Sequence, residues 1–184
     1  HDKSGVLDQF TKQFLGPGGF NATHKGKLSW FLGMAVDQHS DHSITIHQSK
    51  YIEKVLDRFM PSHATSTREH TMPCHPDAFQ RLKCACNDKE RERASRLPYL
   101  ELIGSLLYLS TMTRPDIAYH MSVLCSFMHD PTVECFNSAL DLLLYVGATK
   151  HYHLRYTGAT NAPKGLIGVN EIDMNHGFVA YSDS

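Results

Sequence analysis

The chain has 184 residues, 41% of them hydrophobic and 20% charged, with a formal net charge of −1. That length and balance suit one globular domain, or pieces of two, with a sizeable core, and they exclude a disordered tail. They also exclude a generally basic nucleic-acid coat, so any contact with a polyanion has to come from local patches.

Residues 6–15 read as a short helix with Val6, Phe10 and Phe14 at helical spacing, broken by Gly16-Pro17-Gly18-Gly19. Leu28, Trp30, Leu32, Met34 and Val36 alternate with smaller or polar neighbours, the pattern of a strand with one buried face. A polar loop over 38–43 and a second strand through Ile44 and Ile46 complete a β-hairpin. Ser49 is placed to cap the next helix, whose apolar stripe is Tyr51, Ile52, Val55, Leu56 and Phe59, with Pro61 as its stop.

Over 61–96 the pattern dissolves into Ser, Thr, His and Pro, which predicts a linker or surface loop. Its mixed-sign run Lys89-Glu90-Arg91-Glu92-Arg93 reads as a solvated helical turn. His70, Cys74, His75, Cys84 and Cys86 fall here, but without a paired C-x-x-C the spacing favours a plain loop over a zinc site.

Three helices then dominate, over 98–111, 115–128 and 132–146. The first, around Tyr99, Ile103, Leu106, Leu107 and Ser110, is apolar nearly all round and is expected to be buried on most faces. Gly104-Ser105 inside it suggests a neighbour packed very close. At the junction Thr-Arg-Pro-Asp, Pro115 suits a first helical turn and Asp116 the positive helix end. Arg114 sits just outside, where a guanidinium can grip a carboxylate or a phosphate.

The second helix has Ile117, Met121, Leu124, Cys125 and Met128 on one face. The third has Phe136, Ala139, Leu140, Leu143 and Val146, with Gly147 placed to end it. Beyond His151 the period returns to two at Tyr152, Leu154 and Tyr156, and short strands follow at 166–169 and 178–183. The fold class these elements predict is α+β. Five cysteines, an odd number, point to reduced thiols inside a cell, and the thirteen histidines read as scattered rather than clustered. No apolar run reaches the roughly 18 residues needed to cross a bilayer. The start at His1, without Met, reads as a piece of something longer.

Seven segments follow one another in a recognisable order: LSWFLGM at 28–34, ITIHQSKYIEKVL at 44–56, TMP at 71–73, YLELIGSLLYLS at 99–110, TRPDIAY at 113–119, FMHDPT at 127–132 and YSDS at 181–184. In order and spacing the chain resembles the reverse transcriptase of copia-type LTR retrotransposons. The resemblance implies the end of the palm, the primer-grip hairpin and the first thumb helix over 1–60. It implies a linker or surface loop over 61–96, a helical thumb and connection region over 97–150, and the truncated start of an RNase H-like domain over 151–184.

The same resemblance implies that nucleic acid is bound through Trp30, Gly33, Lys50, Lys54, Arg58 and Arg114. Read from the residues alone, Lys50, Lys54 and Arg58 are equally the solvated face of a surface helix, and Trp30 is a core residue. Asp183 matches the first RNase H carboxylate of a site left incomplete here, since a two-metal centre needs further acids. The Tyr-x-Asp-Asp turn that carries polymerase chemistry in this family is absent. No two adjacent Asp occur, and Asp2 and Asp8 sit in an unrelated context.

The implied role is therefore binding of an RNA/DNA primer–template duplex within a Pol polyprotein, without polymerase activity in this chain. Mg2+ or Mn2+ is expected for the full-length enzyme and none for this fragment. The implied partners are the duplex and the remainder of the polyprotein, with no membrane and no small-molecule substrate. The implied location is intracellular, cytoplasmic in a virus-like particle or nuclear. The chain departs from the family in its third helix, where basic positions hold Asp141, Leu144 and Gly147, a closing Gly becomes Ala148, and a His-Trp pair becomes Cys135-Phe136. Those replacements should weaken phosphate binding. They leave open a second function: a non-catalytic helical interaction module remaining from a decayed element.

Overall fold

The computed structural model describes residues 4–23, 26–60, 72–73 and 79–157. The elements run α1 (Ser4–Leu15), β1 (Trp30–Phe31), β2 (Met34–Gln38), β3 (Ile44–His47), α2 (Ser49–Phe59), α3 (Asp88–Ser95), α4 (Tyr99–Met112), α5 (Ala118–Cys125), α6 (Val133–Ala148) and β4 (Leu154–Tyr156). Short 3-10 turns at Phe79–Arg81 and Pro115–Ile117 precede α3 and α5. Helices and one antiparallel sheet are segregated along most of the chain, which is an α+β arrangement.

The core is helical. Ile52 and Val55 of α2 meet Leu102, Ile103, Leu106 and Leu109 of α4, Met121 and Leu124 of α5, and Ala139, Leu142, Leu143 and Val146 of α6. Each fully buried Leu or Ile contributes about 1.5–3 kcal/mol relative to exposure, so this cluster is the main stabilising term of the chain. Tyr99 sits inside it and donates its hydroxyl to Leu124 O at 2.8 Å, which makes burial of a phenol tolerable. The α2 stripe therefore packs as its spacing predicts.

Several expectations change. The run 28–36 is not one strand: Leu32 (φ 48°) and Gly33 (φ 77°) form a two-residue turn, with Phe31 opposite Met34. Positive φ at both central positions is the turn that matches strand twist, and apolar alternation cannot signal it. Trp30 is 47% exposed, not core, and Leu28 and Leu32 are also exposed, leaving Val36 as the buried residue of that series. Ser49 does not cap α2. Gln48 is the cap residue, and the Ser49 hydroxyl donates instead to Lys150 O at 2.8 Å.

The face of α1 bearing Val6, Phe10 and Phe14 is exposed, Phe10 by 61%, and its rings stack on one another and on Phe20. In α4, Leu100, Leu107 and Met112 are exposed, so this helix is buried on one side and not on most. Gly104 has open space around it rather than a close neighbour. The close approach lies at Gly147, where an added Cβ would come within 2.9 Å of Leu56 Cδ1. Gly147 is thus inside α6, which continues to Ala148, and it serves helix packing rather than termination.

The segment read as linker or surface loop is folded from Phe79 onward. Leu82, Ala85 and Ala94 are buried, Asn87 Oδ1 caps α3 by accepting from Glu90 N at 3.0 Å, and Arg91 pairs with Asp130 at 3.1 Å ahead of α6. The charged run is helical as expected, but it is anchored.

The sheet order is β1-β2-β3-β4, all antiparallel. The period-2 stretch after His151 is therefore the fourth strand of the N-terminal hairpin's sheet. Strand pairing is long-range, so the sequence pattern names no partner for residues 154–156, and the structure supplies β3. The expected strands at 166–169 and 178–183 lie outside the described residues.

Candidate functional site

The hairpin tip is positioned by α4. Tyr108 donates its hydroxyl to Leu32 O, and its ring meets Tyr51 of α2 edge-on at 5.2 Å. Holding Leu32 in the left-handed region costs roughly 1–2 kcal/mol, which these contacts offset. Gly33 adopts its positive φ without that cost, so its role is conformational. Trp30 leads into this tip on the open side, and Lys50 Nζ stands 5.4 Å from its ring centroid, a cation–π distance.

One turn further along α2, Lys54 is exposed and, like Lys50, has no carboxylate within ion-pair distance among the described residues. Arg58 is committed elsewhere, paired with Glu101 and lying 5.3 Å from the Phe59 ring. Glu53, between the lysines, is held below its usual carboxyl range by the hydrogen bond and charge of Lys150, at 2.7 Å. The structure thus gathers Trp30, Gly33, Lys50 and Lys54 on one corner and leaves Arg58 at its far end.

Arg114 is not on that surface. It is 1% exposed and spends all five N–H donors internally. Nε and Nη2 grip Asp116 at 2.9 and 2.7 Å, Nη1 reaches Val146 O and Thr149 O at 3.4 and 3.3 Å, and Nη2 also bonds Thr149 Oγ1 at 2.7 Å. The rings of Tyr145 and Tyr152 lie 5.4 and 5.3 Å away. Of the two partners its sequence context suggested, the carboxylate is the one it takes. Burial pushes the Asp116 carboxyl up, but the bonds and charge of Arg114 and the Tyr145 hydroxyl bring it below the usual carboxylate range. Thr113 completes the junction by donating to Gln48 Oε1 at 2.8 Å, so the Thr-Arg-Pro-Asp motif fastens the ends of α4 and α6 to the start of α2.

The structure also collects residues that looked scattered. Asp37, Thr45 and Arg155 form one row across β2, β3 and β4. His39, His47, His151 and His153 join them around a hollow of about 720 Å³. Strand alternation puts 37, 45 and 155 on one face, but the pairing of β4 with β3 could not be read from the chain, so the histidine group was missed.

Asp183, Asp2, His70, Cys74 and His75 lie outside the described residues. Among the described residues the cysteines are free thiols, no group of three or more His, Cys, Asp or Glu could hold a metal ion, and no helix is long and apolar enough to cross a membrane.

Comparison with known proteins points one way. The chain is 29% identical over 147 residues to the retrovirus-related Pol polyprotein of transposon TNT 1-94 from Nicotiana tabacum, covering 79% of this chain and 11% of that protein. It is 28% identical over 131 residues to a transposon Ty5-1 protein of Saccharomyces cerevisiae, covering 71% of this chain and 40% of that one. A 77-residue stretch, 42% of the chain, is 35% identical to secreted RxLR effector protein 161 of Plasmopara viticola and covers 53% of it. No protein-family model matches the chain. No solved structure matches it. The chain thus spans a minor part of the Pol polyprotein it matches, and these similarities support an origin in a retrotransposon Pol polyprotein.

Proposed function

We propose that the chain is a segment of the reverse transcriptase within such a Pol polyprotein, and that it holds primer–template rather than performing nucleotide transfer. The observation that carries this reading is the corner beside a rigid hairpin turn, made by the exposed Trp30 with Lys50 and Lys54, both unpaired among the described residues. An indole face stacks on bases of any sequence while neighbouring ammonium groups meet phosphates, a combination suited to sequence-independent binding. The resemblance in motif order supports the same reading, and the remainder of the polyprotein is the natural partner. Asp183 would open an RNase H domain whose Mg2+ or Mn2+ depends on acids beyond this chain.

The test is binding of a labelled RNA–DNA hybrid across a salt series. Replacing Lys50 and Lys54 by Gln should reduce the slope of log affinity against log salt by about 2, one for each phosphate no longer neutralised. Trp30→Ala should weaken binding about tenfold with the slope unchanged. Unchanged affinity and slope in both variants would overturn the proposal. A second reading, an interaction module surviving from a decayed element, is favoured by the similarity to a secreted effector protein. It expects no hybrid binding at any salt concentration.

A further inference from the structure

The polar face of the sheet carries a feature that primer–template binding at the hairpin corner does not use. Four imidazoles from three parts of the chain converge there: His39 at the end of β2, His47 at the end of β3, and His151 and His153 ahead of β4. The other charged groups facing the hollow are Asp37, Asp41 and Arg155. Two carboxylates against one guanidinium leave one net negative charge when the histidines are neutral, and protonation of all four turns this into three positive charges.

We infer that this groove is an anion site for phosphate oxyanions, closed to them at neutral pH and opened when its histidines take up protons. Imidazole is the side chain that ordinarily gains charge between about pH 8 and 5, and the groove gathers four of them beside two carboxylates and one guanidinium. Its carboxylates are already engaged. Asp41 accepts from the Ser43 hydroxyl and amide at 2.6 and 3.0 Å and pairs with Arg155 at 3.0 Å. Asp37 lies 3.3 Å from His47. Protonating His47 therefore completes a pair with Asp37, while His39, His151 and His153 gain charge with no carboxylate in ion-pair contact among the described residues.

Neutral polar groups already orient part of this set: His39 Nε2 lies 3.0 Å from Thr45 Oγ1, and His153 Nδ1 lies 3.2 Å from His151 O. A second hollow of about 340 Å³ shares His151 and His153; its other charged groups are the paired Arg114 and Asp116, which offset each other. The Ser40 hydroxyl also lines the first hollow and adds a neutral donor, whereas that of Ser49 is already given to Lys150 O.

Binding of tripolyphosphate, by calorimetry, and of a fluorescent oligothymidylate, by anisotropy, should be measured with the full chain at about pH 5.5 and about pH 7.5. Tripolyphosphate should bind at least about tenfold more tightly at the lower pH. Gln replacement of the exposed His151 and His153 together should remove most of that gain and leave binding at the higher pH unchanged. A gain shared by the oligonucleotide identifies a nucleic-acid backbone as the source, and a gain confined to tripolyphosphate identifies a small polyphosphate. Trp30→Ala should not affect the gain, which separates this site from the hairpin corner. No pH-dependent gain for either probe, or a full gain in the doubly substituted chain with an unchanged circular dichroism spectrum, would overturn the inference.

Discussion

Arg114 bonds to Asp116 on one side and to the last turn of α6 on the other. Its charge therefore neutralises a partly buried carboxylate and satisfies Val146 O and Thr149 O, carbonyls that a helix end otherwise leaves open. Replacing it by Met would strand Asp116 and those acceptors. Breaking a buried pair from one side costs about 3–5 kcal/mol, and since Asp116 is a third exposed the lower end applies. Arg114→Met should thus lower urea stability by about 3 kcal/mol, and a drop under about 1 kcal/mol would refute this role. The pH dependence has a definite sign. Because the Asp116 carboxyl is held below its ordinary value, its contribution is complete above about pH 4 and fades as pH falls through the folded-state value. Asp116→Asn should make the acid limb of the stability curve shallower and leave its neutral plateau lower. A charge reversal at Arg114 would report on folding, not on phosphate binding, and belongs in no test of the nucleic-acid surface.

The helices were the legible part of the chain because the 3.6-residue stripe of α2, α5 and α6 depends only on local order, and each stripe packs into the core except at Met128, which is exposed past the end of α5. Glycines were not legible, since a helical glycine looks the same whether a neighbour approaches or not. Gly104 and Gly147 turn this into a paired prediction. Adding a methyl at Gly104 meets nothing within 4 Å, so Gly104→Ala should stabilise α4 by about 1 kcal/mol through helix propensity. The same change at Gly147 gains that propensity but drives the methyl into Leu56, whose Cδ atoms would lie at 2.9 and 3.2 Å. Overpacking costs about 1–3 kcal/mol, so Gly147→Ala should be neutral or destabilising, and Gly147→Val clearly destabilising. Thermal melts of the three variants decide it; equal stabilisation at both glycines would mean that α2 and α6 are not packed as described. The candidate corner was half legible for a related reason. Lys50 and Lys54 could be assigned to an exposed helix face, but the exposure of Trp30 follows from a turn at Leu32 that apolar alternation conceals.

At the level of the whole molecule, strand pairing joins what the order of elements in the chain separates. β4 follows α6 yet pairs with β3, with Thr45 opposite Arg155. Around that seam Ser49 donates to Lys150 O, Lys150 pairs with Glu53, and Arg155 pairs with Asp41. The first two of these interactions link the start of α2 to the end of α6, which share the helical core through Leu56 and Gly147. The sheet and the helical cluster therefore have few independent surfaces along which to part, although the chain reads as a hairpin, a loop, a helical block and a further unit. Exposed single ion pairs contribute little each, about 0–1 kcal/mol, so the coupling rests on the shared strands and core rather than on the salt bridges. Trp30, the single tryptophan, reports on the hairpin, whereas far-ultraviolet circular dichroism is dominated by the helices. Urea unfolding followed by both signals should give coincident transitions, the mark of one cooperative unit. Raising salt to about 1 M, which screens the exposed pairs, should leave the two midpoints together. A tryptophan transition that precedes the unfolding of the helices would show that β4 does not bind the hairpin to the core.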